Sequence, residues 1–257
     1  MFKIIIVIVG YYFLGFWGML LGWLIGSMMD RTRMYGSGAL NPMGNALRQE
    51  VFIETVFISM GKLAKVDGHV SQNEIAHVEE FMQKLGMTPE HRQQALKLFK
   101  QGAESELDIH TVYQRFNSVC GNTRNLKEVL ITYLIVMAMA DGNLHHKEED
   151  LLTELAGYLG YGPEAFRKFM DMVLNQAHFA GGQANSAAAL DDAYKALGIT
   201  KENSDAEIKR AYRKLMSQYH PDKLMGQGMP EDMIAMATEQ AKEIQLAYDL
   251  IKKNRGM

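Results

Sequence analysis

Cysteine is nearly absent from the 257-residue chain, where Cys120 stands alone. That excludes an intrachain disulfide and any multi-cysteine metal site, and it suits a reducing compartment for the soluble part. A lone thiol is expected as a small core residue, because free cysteines are usually buried. An excess of basic charge is also missing, since the formal net charge is −3. Residues 1–49 hold four Lys/Arg and one Asp, residues 50–176 hold 12 basic and 18 acidic side chains, and residues 177–257 hold 11 of each. An acidic middle and a neutral end argue against nucleic acid as the main partner, which would want a clearly basic face. A nucleophile elbow is lacking too, so Ser217, His220 and Asp222 do not make a hydrolase. No cofactor is implied and the chain is not expected to be an enzyme.

One segment lacks charge altogether, from Ile4 to Met29. About 20 apolar residues cross a bilayer, so this run is long enough to span with some tilt. A cleaved signal peptide would have an apolar region of about 7–15 residues, a basic segment before it and a small-residue cleavage site after it. Only Lys3 precedes this run, and Ser27-Met28-Met29-Asp30 is a poor site, so an uncleaved anchor is expected. Arg31, Arg33 and Arg48 follow the span, which places the C-terminal side in the cytoplasm and a short N-terminus outside. Gly18, Gly22 and Gly26 recur every fourth residue, the spacing that lets two spanning helices approach backbone to backbone and self-associate as a homodimer.

Helical patterning resumes near Glu50, and sliding the chain against itself by 74 positions exposes a repeat. Lys65–Glu74 (KVDGHVSQNE) lies over Met139–Glu148 (MADGNLHHKE), and the helices that follow both end in Leu-Gly, at Leu85-Gly86 and Leu159-Gly160. The pattern is a helix, a tight turn and a helix, used twice. Gly68, Val70 and Glu74 fit the register of a calcium loop, but its first and third ligand positions would be Leu63 and Lys65, and in the second copy Met137 and Met139. None is a carboxylate, so no calcium site is expected. Ser71-x-x-Glu74 is a capping box, which explains that glutamate as a helix-start device. His145 and His146 are adjacent and do not share a helix face, as solvated turn histidines would be.

His178–Leu190 is small, polar and glycine-bearing, which marks a linker. A short helix to Leu197 and its stop at Gly198 follow, then Ser204-Asp-Ala-Glu207 opens a strongly amphipathic helix. Ile208, Ala211, Tyr212, Leu215 and Tyr219 form its apolar face, with Lys209, Arg210, Arg213 and Lys214 on the other side. Pro221 disfavours helical geometry at the residue before it, so this helix is expected to stop near Tyr219 or His220. A loop with Gly226 and Gly228 should follow, then a helix with Pro230 in its first turn and Met233, Ala237, Ile244, Tyr248 and Ile251 on its apolar face. A stop alone does not explain His220 and Asp222 on either side of the proline.

Four blocks explain them together. Ala193–Ile199 (AYKALGI), Ala206–Leu215 (AEIKRAYRKL), Tyr219–Lys223 (YHPDK) and Ala241–Ile251 (AKEIQLAYDLI) resemble the J domain of the DnaJ family, in family order. The duplicated region, about residues 50–176, resembles the TerB-like all-helical domain. The whole chain resembles the membrane-anchored DnaJ-like proteins of Gram-negative bacteria, which combine one span, a TerB-like domain and a C-terminal J domain. The expectation is an all-α protein: anchor 1–30, juxtamembrane linker 31–49, TerB-like domain 50–176, linker 177–189 and J domain 190–257. The resemblance implies residence in the inner membrane and a co-chaperone that recruits a DnaK-type chaperone and stimulates its ATP hydrolysis. His220, Pro221 and Asp222 would be the trigger, with Lys209, Arg210, Arg213 and Lys214 steering onto an acidic partner surface. It also makes Asp67, Asp141, Glu74 and Glu148 candidates for an ion site, and leaves open an alternative in which the TerB-like domain is a ligand or ion sensor with the J domain as its output. The glycine/phenylalanine-rich segment and CxxCxGxG repeats of full-length DnaJ are missing, which argues against independent substrate holding.

Overall fold

The computed structural model describes residues 42–66, 68, 70, 72–104, 106–139, 142–181 and 187–257. Among them every regular element is helical. The helices are α1 (Pro42–Ala64), α2 (Gln72–Lys84), α3 (Pro89–Gly102), α4 (Ile109–Cys120), α5 (Arg124–Ala138), α6 (His146–Tyr158) and α7 (Pro163–Gly181). Then come α8 (Ala187–Ala196), α9 (Asp205–Gln218), α10 (Pro221–Gly226), a 3-10 turn (Glu231–Met233) and α11 (Ile234–Arg255). The first helix thus starts ahead of Glu50, inside the expected linker 31–49.

The repeat survives as geometry. Displacing α2 by 74 residues reproduces both ends of α6, and the same displacement carries the start of α3 onto α7 and the end of α1 onto α5. The turns match as well. Gly68 and Gly142 take φ of 104° and 88°, a left-handed conformation that glycine adopts without steric cost. Met87 N–H bonds to Met82 O at 3.1 Å and its counterpart Tyr161 N–H bonds to Ala156 O at 3.0 Å, the six-residue closure that ends a helix at a left-handed glycine.

α5 is the axis of the core. Leu126, Val129, Leu130, Thr132, Leu134 and Ile135 are all fully buried around its circumference, which is the signature of a helix enclosed on every side. Tyr133 packs edge-on against Phe52 of α1 and Phe81 of α2, with ring centroids 6.4 and 5.9 Å away. Fully buried Phe52, Phe57, Phe99, Phe116 and Phe166 extend this core, each stabilising the fold by about 1.5–3 kcal/mol. Cys120 is buried beneath α1, as a lone core thiol should be, and burial pushes its pKa up to about 11.

The C-terminal unit is a small bundle. The carboxylate of Glu207 accepts from the backbone N–H of Ser204 at 2.8 Å, closing the capping box that starts α9. α9 and α11 pack together with Tyr212 stacked on Tyr248 at 4.0 Å between ring centroids. Arg255, at the end of α11, donates to the Tyr194 hydroxyl at 2.7 Å, Asn203 O at 2.8 Å and the Asp205 carboxylate at 2.9 Å. One cation thereby ties α8, α9 and α11 into one unit. This bundle is not detached from the repeat region: α7 packs along α8, and buried Gln176 donates to Ala196 O at 2.8 Å.

Candidate functional site

The amphipathic pattern of α9 decides which side chains meet solvent. Ile208 and Leu215 are buried against the bundle, and Lys209, Arg210, Arg213 and Lys214 are exposed on the opposite side. Arg213 Nε donates to Lys209 O at 3.3 Å, and none of the four makes an ion pair among the described residues. Their charge is therefore not cancelled locally, and it can act over roughly a Debye length of about 8–10 Å in solution.

α9 ends at Gln218, and Tyr219 caps it by donating its N–H to Leu215 O at 3.0 Å. His220 then turns extended, at φ −66° and ψ 122°. Pro221 does more than stop the preceding helix. It occupies the first position of α10, where its missing N–H would have had no partner and its φ is already helical. The expected loop after the proline is thus largely a helix of six residues, and Pro230 sits just ahead of the short 3-10 turn rather than inside a helix. The carbonyl of His220 accepts from the N–H groups of Lys223 and Leu224, both at 3.1 Å. Lys223 Nζ donates to Ser217 Oγ at 2.8 Å, bridging the end of α9 to α10, and buried Leu224 pins α10 to the bundle.

The result is a turn braced by its backbone and by Leu224, with two bare side chains. His220 and Asp222 are exposed, and neither side chain makes a hydrogen bond or ion pair among the described residues. An unengaged carboxylate on such a turn is free to accept a charge-assisted bond from a partner cation. Tyr219, directly before them, does the opposite. It is fully buried with its hydroxyl 3.0 Å from Thr132 Oγ1 of α5, and burial raises its phenol far above the ordinary range.

Of the acidic candidates, only Glu148 has a side chain among the described residues. Asp67 and Asp141 lie outside the described residues, and so does the side chain of Glu74. Glu148 accepts from the N–H of His145 at 2.9 Å, the same helix-start duty that the sequence assigned to Glu74. His145 and His146 are exposed, and His146 Nδ1 lies 3.6 Å from Asp150. Among the described residues no group of three or more His, Cys, Asp and Glu could hold a metal ion, and no helix is long and apolar enough to cross a membrane. Ile4–Met29, with Gly18, Gly22 and Gly26, lies outside them.

Sequence reasoning missed Asn125, Thr132 and Tyr133 of α5, which all reach the segment around His220. The available signal was their polarity in a helix whose stretch from Val129 to Val136 is otherwise Leu, Ile and Val, with Asn125 one turn ahead of it. Polar groups inside a core need partners, but the sequence does not say which segment supplies them.

Comparison with known proteins gives three family models along the chain. A tellurite resistance protein TerB model matches residues 54–171, a DnaJ domain model matches 192–255, and a co-chaperone DjlA transmembrane domain model matches 1–46. The co-chaperone protein DjlA of Escherichia coli (strain K12) is 36% identical over 254 residues, covering 94% of this chain and 93% of its own length. The protein of that name from Salmonella typhimurium is 36% identical over 253 residues with the same coverage. The one from Shewanella oneidensis is 37% identical over 240 residues, covering 91% of this chain and 90% of its own. No solved structure matches. With a transmembrane domain, a TerB domain and a J domain in the order and extent of these relatives, the chain belongs to the co-chaperone DjlA family.

Proposed function

We propose that the chain is anchored in the inner membrane, with a short periplasmic N-terminus, and there recruits a DnaK-type chaperone and stimulates its ATP hydrolysis. His220, Pro221 and Asp222 are the trigger, and Lys209, Arg210, Arg213 and Lys214 steer the docking. The observation that supports this best is the unengaged, exposed pair His220 and Asp222 beside a cationic helix face without local ion pairs. Structural residues at a turn would bond to their neighbours; these are left for a partner. In this reading the chain divides at 1–30, 31–49, 50–176, 177–189 and 190–257, with α1 beginning inside the second segment and α7 extending into the fourth. The spanning helices pair through Gly18, Gly22 and Gly26, and Gly22→Leu weakens the homodimer by blocking close approach.

The direct test is steady-state ATP turnover by a DnaK-type chaperone with and without the full-length protein. Reversing Arg213 and Lys214 to Glu should raise the concentration needed for half-maximal stimulation by about tenfold and flatten its salt dependence, because steering charge is lost while the trigger stays intact. An unchanged dose–response curve would sink the steering role. Membrane extraction tests the anchor. The protein should stay in the pellet through high salt and alkaline carbonate, since an apolar span is not held by charge.

A further inference from the structure

Three polar side chains of α5, a helix of the repeat region, grip the segment that carries His220–Asp222. Asn125 Nδ2 donates to Ser217 O at 3.4 Å, the Tyr219 and Thr132 hydroxyls lie 3.0 Å apart, and the Tyr133 hydroxyl donates to Met233 O. These positions are seven and eight residues apart, which puts them on one face of the helix. Thr132 Oγ1 also donates to Glu128 O at 2.8 Å. Its single proton is thereby committed, so the Tyr219 hydroxyl is the donor of the pair. Thr132, Tyr133 and Tyr219 are all buried.

Two further contacts extend the grip. His91 of α3 pairs with Asp232. Gly228, at φ 92°, passes so near α1 that an added Cβ would stand 2.8 Å from Arg48 Cβ. The segment from Ser217 to Met233 is therefore held at both ends and between them by α1, α3 and α5. Yet His220, Asp222 and all four basic residues of α9 remain exposed. An interface that masked the trigger would cover its charged edge. This one holds the buried edge and leaves the charged edge in solvent.

We propose that Asn125, Thr132 and Tyr133 are positioning residues for the His-Pro-Asp turn, so that part of the stimulating machinery lies in the TerB-like domain, outside the J domain. The inference rests on the reading that this turn triggers the chaperone. Its physical basis is population. A turn held in one conformation is always competent, whereas a released turn is competent only for a fraction of the time, and its effect falls by that fraction. The basic face belongs to α9 itself, so encounter with the chaperone does not depend on the grip.

The test uses the full-length protein in detergent or lipid, a DnaK-type chaperone and ATP, with His220→Gln as the reference. Thr132→Val keeps the shape but removes the acceptor of the Tyr219 proton. It should lower the plateau of stimulated turnover by about fivefold and leave the half-saturating concentration within about twofold of wild type. Tyr133→Phe should show the same split, and Thr132→Ser, which restores the hydroxyl, should regain most of the plateau. A mere loss of folded protein would not separate the plateau from the half-saturating concentration in this way, nor be rescued by serine. Wild-type plateaus in both Thr132→Val and Tyr133→Phe would overturn the inference, and so would raised plateaus, which would make the contact inhibitory. Equal stimulation by His220→Gln and wild type would instead remove the trigger reading and this inference with it.

Discussion

His220→Gln is expected to abolish stimulation of a DnaK-type chaperone while leaving helicity and melting nearly unchanged. The imidazole is exposed and makes no hydrogen bond or ion pair among the described residues. What the turn uses from this residue is its backbone: the extended φ and ψ, and the carbonyl that accepts from Lys223 and Leu224. Glutamine supplies both. Exposed substitutions of this kind usually change stability within about 0.5 kcal/mol. The activity loss would therefore be chemical, in what the side chain offers a partner. Asp222→Asn should act similarly, since it keeps the shape but loses the charge that strengthens a bond to a cationic donor. Single-turnover ATP hydrolysis beside a thermal melt decides the matter. A much lower melting temperature would make the histidine structural, and full stimulation by a folded variant would end its role as trigger.

The second large effect is on stability, at a place with no functional residue. α1 and α3 cross at Gly61 and Gly102. An added Cβ on Gly61 would collide with the carbonyl of Phe99 and stand 2.9 Å from the backbone N of Ala103. One on Gly102 would collide with the carbonyl of Ile58 and stand 2.8 Å from its Cα. The obstacles are backbone atoms, so no rotamer change relieves them and the helices must part. Core overpacking costs about 1–3 kcal/mol even where side chains can shift. Gly61→Val should therefore cost about 3 kcal/mol or more, a fall in melting temperature of roughly 10 °C for a chain of this size. Circular dichroism melting checks it, and a Gly61→Val protein that melts like wild type would contradict the close crossing.

Much of this molecule is legible in order along the chain, because its signals are local. Helix periodicity, the Ser204–Glu207 capping box and the left-handed glycines at Gly68, Gly86, Gly142 and Gly160 are each settled within a few residues. The repeat is equally plain, because two copies of one unit must reuse the same turn chemistry at the same spacing. His220 and Asp222 also stand out in the sequence, since stopping a helix needs only the proline between them, and it is the resemblance to the J domain that implies a trigger there. Pro221 is legible only in part. Its effect on the residue before it is steric and visible, but whether a helix begins at it depends on Leu224 finding a buried place.

What the sequence by itself determined is the all-α composition, the repeat, the uncharged span and the identity of the exposed charged edge. Those follow from side-chain periodicity and backbone stereochemistry, which act over one or two helical turns. Only the tertiary structure decided that α5 would be enclosed on all sides, that Gly61 would meet Gly102, and that Tyr219 would leave its own bundle to bond with Thr132, 87 residues away in the chain. A buried hydroxyl in a sequence announces that it needs a partner. Which partner it finds is set by how packed helices bring distant segments together, and no local pattern carries that information.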